Sequence, residues 1–435
     1  MISKWKWVLL QFTRRLWIRA AVLSLAGVIA ALIAVPLEPL IPEELAERVG
    51  ARSVDQILNI LASSLLAVTT FSLTVMVSAY SAATNNVTPR ANKLLMEDTT
   101  TQNVLATFIG SFLFSLVGIV ALSAGAFGDE GRLILFAATI GIIVIIVVTL
   151  LRWIEHLSVL GRVGETTDRV EKAARSALGQ RIENPYLGGR RLAHSSAAMQ
   201  EGAAAIYTDV TGYVQHLDME RLSDFAEEKE GEIYLGASPG TFVHPARPLL
   251  WLRGCEVGEE EEDNLRGAFS LADARSFVQD PRFGISVLAE IASRALSPAV
   301  NDPGTAIDVL GRAVRMLRPW GDALNRDSEP ELRWPRVWVP PITSGELFDD
   351  LFAPIARDGA SIMEVQIRLQ KALLALAHTG DDDFREAVRR HSTLALHRAQ
   401  AALLLDVEME VLRTLAEEVE RTCRAKAIST PGSGT

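Results

Sequence analysis

The sequence predicts an α-helical membrane protein of four transmembrane helices, joined to a mixed, mainly α cytosolic domain that contains a small β-barrel or sheet. Three observations carry that expectation. Four apolar stretches crowd into the first part of the 435 residues. The rest is charged and patterned largely at helical period, with a β-rich interval near its start. The chain as a whole is 49% hydrophobic yet 22% charged, a mixture that suits apolar spans attached to a water-facing body.

A helix needs roughly 20 apolar residues to cross a bilayer core. Leu16–Val35, Ile57–Tyr80, Val104–Phe127 and Leu133–Leu151 qualify. Arg19, near the start of the first, can snorkel to the headgroups, and Pro36 and Pro39 end that helix. The N-terminus reads as a first anchor, not as a cleavable signal. The third and fourth stretches are separated by the short turn SAGAFGDEGR, so they form a hairpin. Lys4, Lys6, Arg14 and Arg15 precede the first span, and Arg152, Arg162 and Arg169 follow the fourth. The positive-inside rule then puts both termini, and the loop with Arg90 and Lys93, in the cytoplasm. Trp5, Trp7, Trp17 and Trp153 are expected near the membrane interfaces. Apart from Arg19 the spans hold no ionisable side chain, which counts against a proton-driven pump.

The second span carries a polar stripe. At 100° per residue Ser63, Ala67, Thr70, Thr74, Ser78, Ser81 and Asn85 fall within an arc of about 80°. Leu65, Val68, Met76 and Ala79 lie opposite, with Ser72 as the exception. Two readings fit. Small hydroxyl residues let helices pack closely, and a hydroxyl-lined wall suits a water-filled pore. Ser63, Thr70, Thr74, Ser78, Ser81 and Asn85 are therefore the pore-lining candidates. Four helices enclose too little space, so the pore reading requires a symmetric homo-oligomer.

The organisation expected is a membrane domain over residues 1–160, linker helices and a small β subdomain over 161–263, a helical subdomain over 264–425, and a disordered tail over 426–435. ENPYLGGRR breaks the first soluble helix with proline and paired glycines. TDVTGYVQHLD and GEIYLGASPGTFVHPARPLLWLRG supply short β runs. The acidic run EVGEEEEDN reads as a solvated loop, because a metal loop needs a turn glycine and spaced ligands. QDPRFGISVLAEIASRAL then forms a helix with Phe283, Val287, Leu288 and Ile291 on one apolar side. Glu290 and Arg294 are paired i,i+4 on the other.

RALSPAVNDPGTAID follows. Ser297-Pro298 and Asp302-Pro303 both fit a cap followed by a proline at the first helical position. Asp280, Arg294, Ser297, Asn301, Asp302 and Asp308 gather enough polar chemistry to be candidates for a cytosolic ligand or ion site. Capping explains most of the same composition as a structural corner. No nucleophile elbow, HExxH, P-loop or kinase set is present, so no enzyme is expected. Further on, RWPRVWVPPITSGE includes one short extended segment, and Gly359–His378, Asp382–Leu405 and Asp406–Ala425 read as helices. His391 and His397 are six apart, the wrong spacing for one ligand face, and read as surface residues. Cys255 and Cys423 are far apart and expected as reduced thiols. No metal or cofactor is expected, and a net charge of -10 excludes a nucleic-acid partner.

QDPRFGISVLAEIASRALSPAVNDPGTAIDVLGR resembles the signature of a bacterial family of predicted membrane proteins, domain of unknown function 2254. TGYVQHLD, SPGTFVHPARPLLWL and the second span leading into TPRANKLLMEDTTTQNVLATFIGSFLFSL are similar to its other recurring patches. The chain departs from that pattern at Ala299 and Gly304. The resemblance implies a multi-pass protein of the bacterial inner membrane and no particular activity. Two functions fit the residues: a homo-oligomeric channel with a cytosolic vestibule, or a membrane-anchored sensor or scaffold whose spans only pack. The partners expected are the lipid bilayer, further copies of the chain, and ions or a small cytosolic ligand.

Overall fold

A computed structural model describes residues 53–91, 94–95, 98–126, 128–192, 202–326 and 331–429, together with isolated helical positions between 18 and 29. The expected first span, Leu16–Val35, is described only at those isolated positions, and the final residues 430–435 lie outside the described residues. The chain divides into two compact units, one spanning Lys6–Thr166 and the other containing Thr167–Thr435.

Among the described residues of the first unit, three helices are long and apolar enough to cross a membrane: α1 (Val54–Asn86), α2 (Thr99–Ser123) and α3 (Asp129–Val159). Asp98 starts α2 by accepting the Thr101 N–H at 2.9 Å, the capping that orphan donors at a helix start require. The turn into α3 passes through Gly125 at φ +70°, a conformation that favours glycine. Two small cores hold the helices together. Leu58, Phe114 and Leu135 meet in one, and Leu65, Phe108 and Trp153 in the other. Trp153, expected as an interfacial ring, is buried, and its indole donates to Ser72 Oγ at 2.9 Å. Ser72 breaks the apolar pattern of its face because it is the acceptor for that indole.

The second unit begins within α4 (Val163–Glu183), at Thr167, and continues into a short 3-10 turn, Pro185–Gly188. Then come β1 (Gly189–Arg191), β2 (Ala204–Ile206), β3 (Gly212–Leu217), α5 (Met219–Glu228), β4 (Glu232–Leu235), β5 (Phe242–Val243), β6 (Leu250–Arg253), α6 (Glu259–Arg266) and β7 (Phe269–Ala272). The helical part holds α7 (Pro281–Ala295), α8 (Pro303–Leu324), α9 (Ser344–Asp358), α10 (Met363–Leu376), α11 (Asp382–Ala402) and α12 (Asp406–Ser429), with β8 (Trp334–Val339) between α8 and α9.

The strands form two sheets: a mixed one in the order β1-β8-β4-β6-β2 and an antiparallel one in the order β5-β3-β7. Leu217, Phe225, Ile233, Leu250 and Val337 share their core. The boundary expected at residue 264 is therefore crossed. The extended segment in RWPRVWVPP is β8, which pairs in parallel with both β1 and β4 and sits inside the sheet. The acidic run is also corrected from loop to helix. Glu259 to Glu262 fill the first turn of α6, where carboxylates favour the positive end of the dipole. The Gly258 N–H donates to Glu261 at 2.9 Å.

In the helical part α7 packs on α8 and α9, α9 on α11, and α10 on α8, α11 and α12. The expected helix Gly359–His378 begins later, at Met363, and α12 runs on to Ser429 into the expected tail. His391 is not a surface residue. It is 2% exposed, beside the rings of Phe348 and Phe352, with Nε2 3.1 Å from Asp349 Oδ1. Burial pushes its imidazole down to about 4, against the pull of the Asp349 carboxylate. A histidine whose folded value is lowered makes the unfolded state bind more protons between that value and about 6.5. Stability should therefore fall as the pH drops from about 6.5 toward 4, on the order of 2–3 kcal/mol from this group. Chemical denaturation across that window should show a weaker slope for His391→Gln than for the natural chain; equal slopes would reject the assignment.

Candidate functional site

The expected stripe on α1 is exposed along its length. Ser63, Ala67, Thr70, Thr74, Ser78 and Ser81 all face away from the protomer's interior, while Leu58, Leu65, Ser72 and Met76 on the opposite side are buried. The helix position of Asn85 is described, but its side chain lies outside the described residues. Hydroxyls of the stripe bond back into their own helix. Ser63 donates to the Asn59 carbonyl at 2.9 Å, Thr70 to Leu66 at 2.9 Å and Thr74 to Thr70 at 3.0 Å. That satisfies each donor and leaves oxygen lone pairs on the outer face. Exposed apolar residues flank the stripe: Ile60 and Phe71 on one side, Leu66, Leu73 and Val77 on the other. The stripe is thus not packed against another helix among the described residues of its own unit.

One polar cluster of this unit was missed in the sequence. Asp98 Oδ2 accepts from Thr101 Oγ1 at 2.5 Å and lies 2.8 Å from His156 Nε2. The His156 ring stacks on Trp153. The signal available was the Asp-x-x-Thr spacing at the start of α2; nothing in the sequence points to His156, which reaches the cap from the far end of α3.

The second group of candidates does not assemble into one site. Asp280 caps α7, accepting the Phe283 N–H at 3.1 Å, and a bidentate pair with Arg275 takes both its oxygens, at 2.7 and 2.9 Å. The other candidates begin at the far end of α7, about 20 Å away at 1.5 Å per residue. There Ser297 does not start a helix, as expected of a cap. Its hydroxyl donates to the Arg294 carbonyl at 2.7 Å and finishes α7. Asn301 turns the chain at φ 51°, a region asparagine enters more readily than most residues. Asp302 is a cap, as its sequence context indicates: it accepts from Thr305 N at 3.1 Å and from Thr305 Oγ1 at 2.6 Å. Its own N–H reaches back to the Ala295 carbonyl at 2.8 Å. The quoted turn is a corner closed on both sides.

Asp308 points into a different cluster. It bonds Arg312 at 2.7 Å, and the buried Arg312 also pairs with Asp168 and, at 2.7 Å, with Glu171. Arg315 adds two bonds of 2.9 Å to Glu171. Burial pushes the Glu171 carboxyl up, but Arg315 and Arg312 outweigh it and hold it below its ordinary range. The network ties α4 to α8. Only its Asp308–Arg312 part, spaced i,i+4, could be found from sequence; Glu171 and Arg312 are 141 residues apart. Asp302→Ala should lower stability by about 0.5–2 kcal/mol, the value of a helix cap. Glu171→Ala should cost more, about 3 kcal/mol, because it leaves buried guanidinium charge under-paired. Denaturant midpoints of the two variants test that order.

Residues 13–375 match the family described as "Predicted membrane protein (DUF2254)". An uncharacterized protein of Mycobacterium tuberculosis (strain CDC 1551 / Oshkosh) is 27% identical over 344 residues, which cover 76% of this chain and 64% of that protein. An uncharacterized protein of Mycobacterium bovis is 26% identical over the same length. The chain thus covers less than two thirds of the length of these relatives. No solved structure matches it. With a family match over most of its length and three apolar helices of spanning length, the chain belongs to this family of predicted membrane proteins.

Proposed function

We propose that this protein is a homo-oligomeric, channel-like protein of the bacterial inner membrane. Both termini are cytoplasmic, α1 stripes from several copies surround the path, and the second unit forms a cytosolic vestibule or regulatory domain. One observation carries the reading: the hydroxyl stripe occupies the exposed face of α1, directly opposite its buried face. Back-bonded hydroxyls tolerate lipid, so polarity alone does not select a pore. The combination is more selective. Small side chains run the length of a span and let another helix approach closely, and their outward lone pairs can replace hydration contacts of a passing ion. Bulky apolar residues on both flanks supply the seams against neighbouring copies or lipid. The residues from Gln56 to Asn86 include no charged side chain, which fits conduction along a neutral wall better than proton coupling. A sensor whose spans only pack is less well supported, because the stripe takes no part in packing among the described residues of its own protomer.

Thr70→Leu or Thr74→Leu should abolish or sharply reduce ion flux from proteoliposomes while native mass spectrometry still finds the oligomer. Unchanged flux in both variants assigns the stripe to packing, and a strictly monomeric natural chain removes the pore.

A further inference from the structure

The second unit contains a cavity of about 250 Å³ that the channel reading does not use. The last turn of α4 brings Arg181 to it, and the 3-10 turn that follows brings Tyr186. The end of α8 contributes Trp320, Leu324 and Arg326, and the chain after β8 contributes Ile342. Arg181 is 6% exposed and Trp320 7%. Arg181 Nη2 and Trp320 Nε1 are buried donors that meet no acceptor among the described residues. A buried polar group left without a partner is destabilising, and a charged one more so, so such groups call for an explanation.

Among the described residues no carboxylate accepts a hydrogen bond from Arg181 Nη2. The carboxylate whose charge reaches Arg181 is Asp280, and its oxygens are already occupied by Arg275 and the Phe283 N–H. Among the described residues the cavity lining includes two arginines and no carboxylate. Burial pushes the Arg181 guanidinium down to about 10, which leaves it charged at neutral pH. Tyr186, which lines the cavity, and its neighbour Leu187 are consecutive non-glycine residues at φ 57° and 55°, a strained backbone region.

We propose that this cavity binds a small organic carboxylate, its head group on Arg181 and the Trp320 indole N–H and its apolar body against Tyr186, Leu324 and Ile342. A planar guanidinium matches a carboxylate with two parallel hydrogen bonds, and the indole provides a third donor. The volume lies just under the roughly 300–1,000 Å³ of ordinary small-molecule sites, which limits the ligand to a small one. The site is independent of the pore reading, since neither its residues nor its ligand involve the spans.

The test is calorimetric titration of the full chain in detergent with benzoate, benzyl alcohol and inorganic phosphate. Saturable benzoate binding is expected, with no detectable binding of benzyl alcohol and weaker binding of phosphate. Arg181→Met should weaken benzoate about 10- to 100-fold, the range for a hydrogen bond to a charged group. Trp320→Phe, which keeps a ring and removes the N–H, should weaken it about 3- to 10-fold. Because Arg181 Nη2 meets no acceptor among the described residues, Arg181→Met should melt close to the natural temperature, which separates loss of the site from loss of the fold. Absence of saturable benzoate binding to the natural chain overturns the proposal. So does binding that survives both substitutions, and phosphate binding as tight as benzoate removes the organic body from it.

Discussion

A helix cannot begin in a packed interior until its first backbone N–H groups find acceptors, and this chain meets that requirement with side-chain oxygens. Among the described residues, α2, α5, α7, α8, α9 and α11 start on Asp98, Asp218, Asp280, Asp302, Thr343 and Asp381, each accepting a backbone N–H of its own first turn. The caps let the chain change direction sharply between helices. Several are used a second time. Asp98 also holds His156, Asp280 also holds Arg275, and Asp302 also takes the Thr305 hydroxyl. A cap that anchors a second element fixes the direction of its helix as well as its start.

Those caps were partly legible. An aspartate followed by proline gives a helix start a local signature, and Asp302 was found that way. Asp280-Pro281 has the same form but stands among the ligand candidates, grouped with Asp302 and Asp308 as carboxylates near Arg294 and Asn301 in sequence. The three described spans were legible for a simpler reason: an apolar run of spanning length has few other fates. What local pattern does not contain is pairing at distance. Glu171 with Arg312, β1 with β8, and His391 under Phe348 and Phe352 are all set by tertiary packing. The acidic run at α6 was misread because like charges suggest solvated coil, whereas at a helix start they interact favourably with the dipole.

The two faces of α1 separate structure from proposed function within a single helix. Ser72 faces inward and serves a tryptophan; Thr70 and Thr74, close by in sequence, face out and, among the described residues, bond to their own backbone. A similar separation holds in the second unit. Arg312 is held by carboxylates and acts as a clamp, while Arg181, equally buried, ends at a cavity. The contrast between satisfied and unsatisfied groups of the same type is what distinguishes a site from a brace here.

The placement of β8 has a consequence for how the chain is made. Arg190, on β1, bonds the carbonyl of Pro335, 145 residues later. At a ribosomal rate of about 5–20 residues per second, β1 waits roughly 7–30 s for its partner β8, and β4 somewhat less. During that interval β1 and β4 present open edges, which are templates for wrong pairing. A nascent chain stalled before Trp334 is thus the form of this protein most in need of chaperone shielding.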